Sequence, residues 1–311
     1  MTAATLLAAV AAVTTVPPPA LSATVSAGAA DDCAVPSPAP YRRAAPGSAG
    51  VRVRPGGPAR PVLLGLAGRL AVEACDATTG RYAVVRHHLW RYDTSGVEDS
   101  DVVRWYAADD SGAELAVRHP RPQVALDWWG PAGARAPRLT HAYASSEVLV
   151  SRAQFDGRRV DPPALVDVLA ELAMWDSPDR SQRHLAARVL ADTAGLTAYP
   201  ATTDRAGRVG VGIAAFSERG RTRHLLILDA RSGQVLAYEA ATLTASGWRA
   251  QVYLLLLTRT HADRRWWEPP TAGEPVAASP PYLEPRHPAV WVIHSDQPCI
   301  TDRARQLEGR R

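Results

Sequence analysis

The sequence contains no lysine and no asparagine, only two phenylalanines and only three cysteines. All 35 basic side chains are therefore arginine. They face 31 acidic ones, for a formal charge of +4. Arginine in place of every lysine reads as the codon bias of a GC-rich genome. Because arginines and acids are interspersed, no long basic block exists, and that excludes the electrostatic footprint of a nucleic-acid binder. Cys33, Cys75 and Cys299 form no CxxC, and no Cys/His pair has zinc-ligand spacing. A GxSxG nucleophile elbow is also missing. The run Gly207–Gly212, "GRVGVG", leads into a strand pattern, whereas a dinucleotide loop opens a helix. No metal, cofactor or catalytic residue is expected on these grounds.

What is present is what an exported globular chain is expected to carry. Of 311 residues, 46% are hydrophobic and 21% charged, which suits one sizeable core. Thr2–Val16 is an uncharged, small and apolar run stopped by Pro17, Pro18 and Pro19. It is shorter than the ~20 residues of a spanning helix and suits a signal peptide. Ala27-Gly28-Ala29 supplies a cleavage site before Ala30. No basic residue precedes the apolar run, so a truncated start is expected. Cys33 follows Asp31-Asp32 and lacks a lipobox. The expected organisation is a signal-like or truncated membrane segment at 1–29 and a Pro/Ala/Gly-rich linker at 30–57. A main α+β domain at 58–260, a mainly antiparallel curved sheet with two or three helices packed on it, and a Pro-rich tail with one strand at 261–311 follow. The expected location is extracytoplasmic or membrane-anchored, or cytoplasmic if the start is genuine and export fails.

Periodicity places the elements. Leu63, Leu66, Leu70 and Ala74 have helical spacing, with Pro61 in the first turn. Residues 81–92 put Tyr82, Val84, Arg86, His88 and Trp90 on one side of a strand. Residues 101–118 read as a hairpin around Asp109-Asp110-Ser111-Gly112. Pro120–Thr140, with Trp128-Trp129, reads as a long loop. Asp161 caps a helix with Leu165, Leu169 and Leu172 as its stripe. Ser177-Pro178 starts a second helix that buries Leu185, Val189 and Leu190, with Gly195 as a left-handed stop. A three-strand meander follows at 203–240. Asp229 and Gly233 bracket one of its turns, where Gly233 needs positive φ. Leu226 and Leu228 share one face there, and Leu225 and Ile227 share the other. Both sets are apolar, so this strand should be central and covered on both sides. "RAQVYLLLLT" is the last strand of the domain. In the tail, 268–288 is expected to wrap the surface without regular structure, and "AVWVIH" to dock as a strand.

His87 and His88 are adjacent on a strand and cannot jointly grip a metal; one should face the core and the other water. Glu98–Asp101 reads as a solvated acidic turn. Trp128, Trp129, Trp266 and Trp267 are candidate binding anchors, with ordinary packing as the alternative. Cys75 with Cys299 is the disulfide to test, against three free thiols.

The blocks "GRYAVVRHHLW", "VVRWYAADDSGAEL", "DPPALVDVLAEL", "RSQRHLAARVLADTAGL" and "TDRAGRVGVGI…LILDARSGQVLAYE" occur in that order. Together they resemble an uncharacterised actinobacterial family whose members usually carry an N-terminal membrane segment. Its genes often lie beside those of extracytoplasmic-function sigma factors. The family has no established catalytic residues, so the resemblance implies none here. The meander ending in "DARSGQVL" also resembles the curved antiparallel sheets of the RseB and LolA type. That likeness implies helices laid on a sheet, either around a pocket for an apolar ligand or partner segment or filling the face completely. The resulting expectation is a non-enzymatic envelope protein that binds an apolar ligand or a protein, in a sigma-factor pathway. The alternative is an envelope enzyme that uses His88 or His224 with a nearby carboxylate.

Overall fold

The computed structural model describes residues 49–72, 80–93, 96–109, 111–119, 123–130, 143–155 and 159–263. These all belong to one compact unit. In chain order the elements are β1 (Gly57–Pro58), α1 (Ala59–Val72), β2 (Tyr82–Asp93), β3 (Gly96–Ala107), β4 (Gly112–Arg118) and β5 (Gln123–Trp129). Next come α2 (Ser146–Arg152), β6 (Gln154–Phe155), β7 (Arg159–Val160), α3 (Pro162–Trp175) and α4 (Arg180–Asp192). The chain continues through β8 (Thr197–Thr203), β9 (Val209–Ser217), β10 (Thr222–Leu228), β11 (Val235–Thr244) and β12 (Gly247–Ala262). Ten strands form one antiparallel sheet in the order β1-β8-β9-β10-β11-β12-β2-β3-β4-β5, and β6 pairs with β7. Two meanders, β2–β5 and β8–β12, thus meet where β12 pairs with β2. The expectation of an α+β fold with helices on a mainly antiparallel sheet holds, with four helices in place of two or three.

Helices α1 and α3 form where their apolar spacing places them. Leu63, Leu66 and Leu70 of α1 are buried, and Asp161 accepts the Ala164 N–H at the N-terminus of α3. Leu165, Leu169 and Leu172 are at most 3% exposed. Two expectations need correction. Helix α4 starts at Arg180, not at Ser177-Pro178, because Asp179 and Gln182 form a reciprocal capping box. That box satisfies two otherwise orphan N–H groups, whereas Ser177 offers one hydroxyl. The Pro120–Thr140 region is also not all loop, because Gln123–Trp129 pairs with β4 as β5. Its flanking prolines and glycines obscured a stretch whose backbone completes the β4 ladder. The short helix α2, capped by Ser145, went unrecognised in the sequence.

The sheet has apolar cores on both faces. On the helix side Leu63, Leu66, Leu165, Leu169, Leu190, Leu226, Tyr238 and Leu254 pack together. On the far side Val51, Trp90, Leu225, Ile227, Tyr253 and Leu255 do so. Strand β10 is the central covered strand that its alternation predicts, with Leu225, Leu226, Ile227 and Leu228 all at most 4% exposed. Burying each such side chain contributes roughly 1.5–3 kcal/mol. The Asp229–Gly233 turn is also as read. Gly233 has φ +68°, and the Asp229 carboxylate accepts the N–H groups of Arg231 and Ser232.

Candidate functional sites on the two faces of the sheet

Four helices lie on one face, and between them and the sheet a small cavity remains. It is lined by Leu66, Leu169, Leu190, Leu226 and Val235, with Arg183 and Tyr143 also in its wall. It measures about 20 Å³, room for about one water molecule. The helices therefore nearly fill the face in this conformation. Gly233 closes one wall, and a Cβ added there would lie 2.9 Å from Leu70 Cδ1. Arg183 is pinned by the Pro178 and Ser232 carbonyls, at 2.6 and 2.8 Å. Behind the cavity Arg259 donates through Nη2 to the Val235 carbonyl, and its Nη1 is buried without a hydrogen-bond partner. Burial, then the neighbouring Arg183, lowers the Arg259 pKa to about 9. Burial likewise raises the Asp176 carboxyl above its usual value. Arg183 thus lines the apolar space, and Arg259 is its buried electrostatic neighbour.

A second polar cluster sits in the β2–β4 hairpins, on the far face. Register pairs His88 with Asp101, and residues two apart on β3 share a face. His88 Nδ1 lies 3.2 Å from Asp101 Oδ1, and its Nε2 lies 3.5 Å from Asp99 Oδ1. His119 Nε2 lies 3.2 Å from Asp101 Oδ2. Asp101 therefore bridges two imidazoles whose side chains are each 3% exposed. The two imidazoles are sealed from solutes although the Asp101 side chain is 21% exposed, and the assembly works as an internal brace. Two expectations fall here. Glu98–Asp101 is strand, not a solvated turn, since β3 extends back to Gly96. Neither His87 nor His88 is wet, being 1% and 2% exposed, because this sheet is covered on both faces. On the helix side, burial and then the Arg104 charge hold the His87 pKa well below its usual value. Arg104 itself grips Glu114, donates to the Met174 carbonyl at 2.6 Å, and lies 3.5 Å from the centre of the Trp175 ring.

The third cluster is on the helix face at the outer end of β9 and β10. Asp167 of α3 accepts from the Tyr238 hydroxyl at 2.6 Å and sits 2.7 Å from His224 Nδ1. Ser217 Oγ lies 3.2 Å from His224 Nε2. The His224 side chain is 14% exposed and that of Asp167 45%. Both known sequence candidates, His88 and His224, thus have a carboxylate partner, one sealed and one open.

The far face also holds the incoming chain. Val51 N–H donates to both oxygens of Glu239, at 3.1 and 2.8 Å. Arg223 donates to the Val51 carbonyl at 2.9 Å and to Glu239 at 2.7 Å. Gly50 N–H reaches the Trp248 carbonyl at 2.8 Å. Glu239 is fully buried and Arg223 is 1% exposed. Beside this strap Phe216 and Leu243 are 37% and 44% exposed, and Phe216 packs on Trp248.

Of the tryptophans, Trp129 is 8% exposed and meets Trp175 edge-on at 5.9 Å, while Trp128 is half-buried on the opposite face of β5. Trp266, Trp267, Cys33, Cys75, Cys299 and the tail strand lie outside the described residues, as does the segment 1–29. Among the described residues no helix is long and apolar enough to cross a membrane, and no cluster suits a metal ion. Ser217, Asp167, Tyr238, His119, Arg183 and Arg259 were not singled out in the sequence. For His119 and Asp101 the signal existed, since the hairpin register sets Asp101 opposite Val117 and brings His119, two residues on, beside Asp99. For Ser217 and Asp167 none did, because a helix and a strand meet there only in three dimensions.

No protein-family model matches the chain, and no curated protein matches its sequence. Among solved structures it is similar to MucB, at 16% identity and TM-score 0.30, over 67% of this chain and 62% of that one. MucB in complex with MucA(peri) gives 11% identity and TM-score 0.31, over 66% and 57%. A putative outer membrane lipoprotein-sorting protein domain from Vibrio parahaemolyticus gives 12% and 0.20, over 64% and 90%. The chain thus spans about three-fifths of the length of the MucB chains it matches.

Proposed function

We propose that this is a cell-envelope binding protein whose ligand is apolar with an anionic end. The carrying observation is the space between sheet and helices. Its walls are largely aliphatic with Arg183 among them, and the buried Arg259, which donates to the carbonyl of the wall residue Val235, is an electrostatic neighbour of Arg183. A buried guanidinium group is costly unless something compensates it. An anionic head group would supply that compensation, while the tail would take the apolar space as α1 and α4 move apart. Envelope location rests on the signal-like run at Thr2–Val16, and a role in sigma-factor signalling rests on the sequence resemblance. A protein partner remains the other class of ligand, with Phe216, Leu243 and Trp248 as its apolar contact.

A fluorescent long-chain fatty acid tests the reading. It should bind the full chain saturably, at least about tenfold more tightly than the matching neutral alcohol. Filling the space with Ala187→Phe should abolish binding. No saturable binding, or binding indifferent to Ala187→Phe, overturns the ligand class. Fractionation tests location separately: recovery only in the cytosol with an intact N-terminus overturns the envelope assignment.

A further inference from the structure

We propose that Ser217, His224 and Asp167 form a nucleophilic acyl-transfer site that cleaves activated carboxylic esters. The tautomer follows from the hydrogen bonds. The Tyr238 hydroxyl donates to Asp167 Oδ1 at 2.6 Å, and His224 Nδ1 reaches the same oxygen at 2.7 Å. An ionised carboxylate only accepts, so Nδ1 carries the proton. In the neutral ring Nε2 is then the acceptor, aimed at the Ser217 hydroxyl 3.2 Å away. That gives the nucleophile–base and base–orienter contacts that acyl transfer requires.

A second observation points to the same place. The chain leaves Ser217 through three consecutive residues of positive φ: Glu218 at +50°, Arg219 at +58° and Gly220 at +85°. Left-handed backbone at two successive non-glycine residues costs free energy, and here it forms the tight turn that follows Ser217 and leads into β10. Ser217 sits at the partly exposed end of β9, so an ester can approach it from solvent. His88, by contrast, is sealed.

The step balances without an oxidant or reductant. Ser217 Oγ attacks the ester carbonyl carbon as His224 Nε2 takes its proton. The bond to the alcohol breaks, and the imidazolium protonates the leaving alkoxide. Water then attacks the acyl-serine, gives its proton to Nε2, and the Ser217 oxygen leaves and is reprotonated. The products are a carboxylic acid and an alcohol. Asp167 and Tyr238 act as positioning residues by holding the imidazole ring.

This inference is independent of the ligand cavity, and its readouts are separate from the fatty-acid titration. The full chain is incubated with a fluorophosphonate probe, which phosphonylates an activated serine and releases fluoride. The modified residue is located by peptide mass. The label should map to Ser217 and vanish in Ser217→Ala. His224→Gln should slow labelling by at least about 100-fold. Asp167→Asn should shift the pH midpoint of labelling, which a merely structural role would not do. 4-Nitrophenyl acetate should acetylate the same serine. Absence of label at Ser217, or labelling unchanged in His224→Gln, overturns the proposal.

Discussion

The two halves of the large sheet solve the same problem with different chemistry. In the β8–β12 meander, beneath α1, α3 and α4, the central strand β10 is apolar on both sides, and its interior is leucine, isoleucine and alanine. In the β2–β5 hairpins, polar groups replace much of that packing: Arg104 with Glu114 on one face, and His88, Asp101 and His119 on the other. Dispersion and hydrophobic burial tolerate small shifts, whereas buried ionisable groups demand fixed partners. The first half should therefore respond to changes of volume and the second to changes of charge. The apolar half also holds buried ion pairs, Asp204 with Arg208 and Glu239 with Arg223 at the Val51 strap, and disruption of the strap should be most damaging.

Glu239→Ala should have the largest effect. It leaves the Arg223 guanidinium buried and unpaired and releases Val51, costing about 3–5 kcal/mol. Chemical denaturation measures this, and a loss below about 1 kcal/mol would place the strap outside the folded core. Gly233→Val should cost at least about 1 kcal/mol, because positive φ and the Leu70 contact act together. Gly220→Val tests the division, since its φ is +85° but nothing lies within 4 Å of the added Cβ. It should be milder than Gly233→Val, and equal losses would mean that packing at the turn is irrelevant.

In the hairpin half, Asp101→Asn changes no volume and should still cost about 1–3 kcal/mol, because it weakens the bridge between two buried imidazoles. A neutral result would show that charge is not what braces the hairpins. The smallest effect concerns pH. His87 has a folded pKa below its ordinary 6.5. Below pH 6.5 the unfolded chain takes up a proton that the folded chain resists. Stability therefore falls as pH drops through 6.5 toward the folded value, by at most ~1.4 kcal/mol per unit. His87→Gln should remove that part of the slope, and parallel stability curves for the two proteins would refute it.

Much of the fold was legible because it depends on neighbours in sequence. The α1 and α3 stripes, the Asp161 cap, the Gly233 turn and the doubly buried β10 all follow from periods and local hydrogen bonds. The errors have local causes too. Ser177-Pro178 looks like a helix start until the better reciprocal pair, Asp179 and Gln182, is weighed. The β5 strand hides between Pro120 and Gly130 because its stability comes from β4. The sites were far less legible. His224 could be named as a histidine with prospects, but not its partners.

The sequence alone determined the alternation of Leu225–Leu228, the helical stripes and the turn glycine, since each is a property of a few adjacent residues. Tertiary structure decided which polar groups meet. Asp167 and His224 are 57 residues apart and Val51 and Glu239 are 188 apart, and no local periodicity reports on such distances. It also decided that the helices nearly close over the sheet, because the size of a cavity is set by how the elements pack together and not by the pattern within any one of them.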